Sequence, residues 1–198
     1  MLRTRLAIPL NVAMQLLEKN NGDVCASEHN FHADNIHEIC SVTGCDFETV
    51  RDSYNVCKND KLKAIDKINS AQVIIMTREN PGSENETGFL IWPETKDGES
   101  YKTTKRNDAF IPTADFEYII DEFNSVFPLV NPWNKSIEGN FDVCGHNYFD
   151  NITCRLIIEK IERIQTSDPR LIKFIEEVIA WLNDKLDYAD YIVIYGNL

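Results

Sequence analysis

The chain has 198 residues, 43% of them hydrophobic, and a formal charge of −12. That is enough for one ordinary domain with a packed core, or for a small unit beside a larger one. No apolar run reaches the length of a membrane span, and the acidic balance argues against a broad phosphate-neutralising surface, so neither a membrane nor a nucleic acid is expected as partner. The charge is uneven: residues 1–70 carry 8 basic against 10 acidic side chains, and residues 71–198 carry 12 against 22.

Leu6, Leu10, Ala13 and Leu17 fall on one helical face, and Asn20-Asn21-Gly22 stops that helix. Residues 22–34 read as polar loop, Asn35–Val42 as a short helix and Thr43-Gly44-Cys45 as a turn. Asp46 is placed to cap a further helix with Phe47, Val50, Tyr54 and Cys57 on its inner side, and Leu62, Ile65 and Ile68 mark another. Residues 1–70 are therefore expected to form a helical subdomain.

Two features of this part suggest chemistry. Asn35–Tyr54 has the skeleton of a helix-turn-helix, with Cys40, Gly44 and Val50 at the positions that let two helices cross. Its second helix offers Asp46, Glu48, Thr49, Arg51, Asp52 and Ser53, an acidic set where a DNA reader needs cations or amides. Packing is the expected role, and a DNA-binding regulator is an alternative function. Cys25, His29, His32, His37, Cys40 and Cys45 crowd into residues 25–45. Zinc needs four such ligands in tetrahedral array, the spacing matches no familiar finger, and Cys40 is wanted for packing, so no metal and no cofactor are expected.

From residue 71 the pattern changes. Gln72–Met76 and Phe89–Trp92 are β-prone, with a polar loop over Asn80–Thr87 between them. Asp97-Gly98 is a hairpin-turn signal, returning through Tyr101–Thr104. Thr113 is read as the cap of a helix over Ala114–Phe127, with Phe116, Ile119, Ile120 and Phe123 inward. Phe141–Cys144 reads as a strand. Cys154, Ile157, Ile161 and Ile164 recur at helical spacing behind a cap at Asp150 or Asn151. Asp168-Pro169 then starts a helix to about Asp187 whose apolar face is wide enough to be largely buried. Tyr191-Ile192-Val193-Ile194-Tyr195 shows no alternation, which places it inside a sheet and covered on both faces. The fold expected is α+β: a helical N-terminal part, then a small sheet with the C-terminal helices packed on it and a buried C-terminal strand. Residues 71–198 form the α+β subdomain, or one domain continuous with the first.

None of GxSxG, P-loop, GxGxxG or HExxH occurs. Asp142, Cys144 and His146 alternate along the expected strand and its exit, which would set a thiol and an imidazole on one face; a small enzyme using these three is the other alternative function. The leading expectation is an acidic, non-enzymatic interaction protein, an inhibitor or immunity-type partner of a basic protein such as a nuclease or nucleic-acid-binding complex. Its partner-binding carboxylates would be Asp115, Asp121 and Glu122 on one helix and Glu176, Glu177 and Asp184 on another. Should these serve only solubility, the interface falls to exposed aromatics such as Trp92, Trp133 or Tyr148. The segment holding Arg3, Arg5, Pro9 and Asn11 is too broken for an export signal, so a cytoplasmic location with reduced thiols is expected for the six cysteines.

Overall fold

In the structure, a computed structural model that describes residues 2–70, 73–78 and 87–196, the fold is α+β and divides into two units, Met1–Ile68 and Asn69–Leu198. Among the described residues no helix is long and apolar enough to cross a membrane. Most of the polar loop expected over 80–87 lies outside the described residues, as does Gln72.

The first unit is helical: a 3₁₀ turn at Leu2–Thr4, then α1 (Leu10–Lys19), α2 (Val24–Thr43), α3 (Phe47–Val56) and α4 (Lys61–Asn69), the last residue of which belongs to the second unit. The loop expected over residues 22–34 is instead the first half of α2, a single helix of 20 residues. Asp23 caps it by accepting from the Ala26 N–H at 3.0 Å, and Gly44 ends it at φ 76, a left-handed value that favours glycine. Periodicity misleads here because polar residues occupy inward positions. The Ser27 hydroxyl donates to the Leu16 carbonyl at 3.1 Å, while His32 Nδ1 lies 3.0 Å and Asn35 Nδ2 2.9 Å from the Tyr54 hydroxyl. Two small apolar clusters flank this polar stretch. One holds Leu2, Leu6 and Ala13, the other Ile36, Ile39, Val50, Tyr54, Ala64 and Ile68.

The second unit contains β1 (Val73–Ile74), β2 (Gly88–Glu94), α5 (Thr103–Arg106), β3 (Ala109–Pro112), α6 (Thr113–Phe116), α7 (Ile120–Asn124), β4 (Leu129–Val130), β5 (Ile137–Glu138), β6 (His146–Asp150), α8 (Asn151–Ile161), α9 (Pro169–Leu186) and β7 (Tyr191–Gly196). β4 and β5 make a small two-stranded sheet, and the other strands form a five-stranded sheet in the order β1-β3-β2-β7-β6. Only β1 and β3 run parallel; the remaining pairs are antiparallel. β7 is bonded on both edges, by β2 and by β6.

Three local expectations are corrected. No strand returns through Tyr101–Thr104: the chain touches β2 once, at Glu94 and Ser100, and then coils into α5, which closes at Asn107 with φ 44. The helix expected over Ala114–Phe127 is broken into α6 and α7, because Tyr118 and Ile119 donate to carbonyls three residues back and tighten the turn between them. Phe141–Cys144 is not a strand. It is a turn before β6, in which Asp142 Oδ1 accepts from the Cys144 N–H at 2.9 Å.

The core lies on one face of the large sheet. Phe89, Ile91, Ala109, Ile111, Phe149, Ile192 and Ile194 meet Phe116, Ile119 and Phe123 and the inner faces of α8 and α9. Ile157, Ile161, Phe174 and Leu182 are all at most 1% exposed. Burial of this much aliphatic and aromatic surface is the main stabilising term of the unit.

Candidate interaction face

Strand alternation sends the other residues of the same strands to the opposite face. Register fixes which ones meet. Ile74, Phe110, Leu90, Tyr195 and His146 form one cross-strand row over all five strands. Trp92, Val193 and Tyr148 form the next row, and Glu94, Tyr191 and Asp150 the one after. No residue of these rows belongs to the helix-covered core. The expectation that β7 is covered on both faces is therefore corrected. Val193 is fully buried, but Tyr191 and Tyr195 beside it are half-buried, and what shields Val193 is the aromatic side chains around it.

These rings pack on one another. His146 lies 4.7 Å from Tyr195 and 5.7 Å from Trp92 between centroids, and the Trp133 ring meets Tyr148 and Tyr191, each at 6.1 Å. Trp133 itself is 41% exposed. It rests against Gly98, whose φ of 78 suits glycine and where a Cβ would come within 3.1 Å of the indole. The Asp97-Gly98 turn therefore exists as expected, and its role is to let the indole close over this end of the sheet. The Arg106 guanidinium lies 5.7 Å above the Trp92 ring.

The electrostatics of the face are acidic. Glu94 is half-buried, and its Oε2 is buried without a hydrogen-bond partner. Burial pushes its carboxyl above the usual range, and the nearby Arg106 charge offsets part of that. Burial also raises the Tyr148 phenol, helped by the negative charges of Glu94 and Glu138. Asp150 is exposed and caps α8 through the Thr153 N–H at 2.7 Å. The nearby cations have partners of their own. Arg106 donates to Asp108 and to Ser100, and Lys105 lies over the Tyr188 ring at 5.4 Å.

The carboxylates expected to bind a partner are scattered by the fold. Asp115 is 3% exposed and accepts from the Thr77 hydroxyl at 2.6 Å, so it is withdrawn from any surface, contrary to the expectation. Asp121 is exposed and Glu122 half-buried on α7. Glu176 is exposed on α9, Glu177 pairs with Lys173 at 3.5 Å, and Asp184 holds Lys185 at 2.7 Å. Glu177 and Asp184 share a depression of about 410 Å³ with Ile74 and Trp181.

The other candidate sites come out as follows. Asp142 and Cys144 stand in the turn and His146 on the strand, so the three do not share a strand face; the imidazole is engaged by Trp92, Tyr148 and Tyr195. The side chains of residues 25–45 diverge. His32 meets Tyr54, His37 meets Phe47, Cys40 and Cys45 pack in the core of the first unit, and Cys25 accepts from Arg5 at 3.6 Å. Among the described residues no three His, Cys, Asp or Glu side chains converge as a metal site. The helix-turn-helix skeleton forms, with Asp46 accepting from the Thr49 N–H at 3.0 Å, and the one arginine of its second helix, Arg51, is engaged by Glu48 and Asp52.

Trp92, Trp133 and Tyr148 are the aromatics to which the sequence points as the alternative interface. Glu94, Tyr191 and Tyr195 were missed, although Ile91-Trp92-Pro93-Glu94 alternates purely apolar with polar-tipped side chains, which is the mark of a half-open face. In comparisons with known proteins, the chain matches no family model, no curated protein and no solved structure.

Proposed function

We propose that the protein is a non-catalytic interaction protein that binds a basic partner protein on the open face of its large sheet. The observation that carries this is the three-strand aromatic surface of Trp92, Tyr148, Tyr191, Tyr195 and His146, which lies outside the core that α8 and α9 cover and is edged by Glu94, Glu138 and Asp150. Aromatic faces attract cations through their quadrupole, and the carboxylates add a field of the same preference. A single-stranded nucleic acid would also stack on such rings, but it needs a cationic groove. Here Arg106 is already committed to Asp108. The whole chain carries −12, which speaks for the same choice. Partners with the densest cationic surfaces are nucleases and other nucleic-acid-handling proteins, so the reading is an inhibitor or immunity-type protein for one of these.

Two of the three tryptophans, Trp92 and Trp133, stand on this face. Their fluorescence is the direct test. A lysine- and arginine-rich peptide is expected to quench it at low salt and to be released at high salt, while an acidic peptide and a single-stranded oligonucleotide leave it unchanged. Quenching by the oligonucleotide alone, or no response to the basic peptide, overturns the proposal.

A further inference from the structure

On the reading of this face as the docking surface, one residue of it stands out. Buried polar atoms in folded proteins are almost always hydrogen-bonded, and an exception asks for a reason. Glu94 Oε2 is such an exception. The nearest cation does not relieve it: Arg106 directs Nε to Asp108 Oδ1 at 2.8 Å, its second terminal nitrogen to Asp108 Oδ2 at 2.6 Å, and its first to Ser100 at 3.1 Å.

We infer that Glu94, with Tyr148, Tyr191 and Trp133 about it, is a seat for one arginine side chain of the basic partner. The register puts Glu94, Tyr191 and Asp150 side by side on three adjacent strands, so that Tyr191 stands between two acidic positions whose backbones are about 10 Å apart. Tyr148 lies diagonally across on the next row, and Trp133 closes the end by packing on both tyrosines. The same face already holds one guanidinium by this chemistry, for Arg106 forks onto Asp108 while lying over the Trp92 ring. A guanidinium suits the seat better than an ammonium, because it is planar, weakly hydrated, stacks on rings and presents a fork to a carboxylate. Docking would pair the half-buried Glu94 carboxylate with a cation and leave no new buried charge unpaired.

The test uses the full chain and two versions of one basic peptide, differing only in that a single arginine is replaced by citrulline, its neutral isostere, with a lysine version as a third. Wild-type protein is expected to bind the arginine peptide at least about tenfold more tightly than the citrulline one, the size of a charge-assisted hydrogen bond. The lysine peptide is expected to fall between them. Glu94→Gln is expected to abolish the arginine preference without lowering the melting temperature, since the side chain it replaces is unpaired; Glu94→Asp, which keeps the charge but withdraws it, should weaken the preference in part. Tyr195→Ala, two rows from Glu94, serves as the control for the face. If Glu94→Gln keeps the full arginine preference while Tyr195→Ala weakens all three peptides, the seat is wrong and the face stands. If both variants bind like wild type, or wild type binds none of the peptides, the face itself is wrong and the seat falls with it.

Discussion

Arg106 grips Asp108, two residues further along the chain, with Nε to Oδ1 at 2.8 Å, while its guanidinium lies over Trp92. Their side chains are 11% and 3% exposed, so the pair is a buried one joining α5 to the start of β3. Burial pushes the Asp108 carboxyl up, and Arg106 and Lys185 pull it back. Such a pair adds little over an apolar replacement, but removing one member strands the other. Asp108→Ala is expected to cost about 3–5 kcal/mol in denaturant melts and to alter Trp92 fluorescence. A neutral substitution would mean that Arg106 finds another partner.

Tyr54 ties α2 to α3 through its hydroxyl, shared by His32 and Asn35. Tyr54→Phe keeps the ring and leaves those two polar groups without it. The expected loss is about 1–3 kcal/mol. An unchanged melting midpoint would show that water replaces the hydroxyl at no cost.

Trp181 is 8% exposed, and its indole N–H donates to the Asn107 carbonyl at 2.8 Å, while the Lys185 ammonium lies 5.5 Å from its ring. Trp181→Ala is expected to cost about 3–5 kcal/mol, from the cavity and the lost hydrogen bond together. A loss near zero in denaturant titration would contradict the packing of α9 described above.

Glu94 has a signature in stability as well as in binding. Its carboxyl is pushed up by burial, so the folded state holds that proton more tightly than the unfolded chain does. Its contribution is fully present below the unfolded pKa, about pH 4, and is lost as pH rises through the higher folded value. Glu94→Gln carries no such dependence. Between mildly acid and neutral pH the wild type is expected to lose melting temperature relative to this variant. Parallel curves for the two proteins would refute the assignment.

Glu176 and Glu177 are surface carboxylates on α9, and their reversal to lysine is expected to leave the melting temperature nearly unchanged. Asp184 differs from them because it pairs with Lys185, which is only 3% exposed. Asp184→Lys is therefore expected to lower the melting temperature. Equal melting temperatures for both kinds of variant would show that Lys185 does not depend on this partner.

The chain by itself determined its elements where period and punctuation agree. α8, α9 and β7 follow from aliphatic spacing, from the caps Asp150 and Asp168 and from Pro169, all local properties of the backbone and its first turns. The α+β class and the interior place of β7 were legible for the same reason. Local pattern failed where a polar side chain finds its partner far along the sequence: Ser27 and His32 disguised the first half of α2, and Lys185 reads as surface until Asp108 is seen near it. The candidate face was hidden more deeply. Trp92, Tyr148 and Tyr191 are distant in the chain and become neighbours only through the pairing of β2, β7 and β6. That pairing leaves Glu94 on the aromatic face with an unpaired oxygen, while Asp115 on α6 goes inside with Thr77 as its partner.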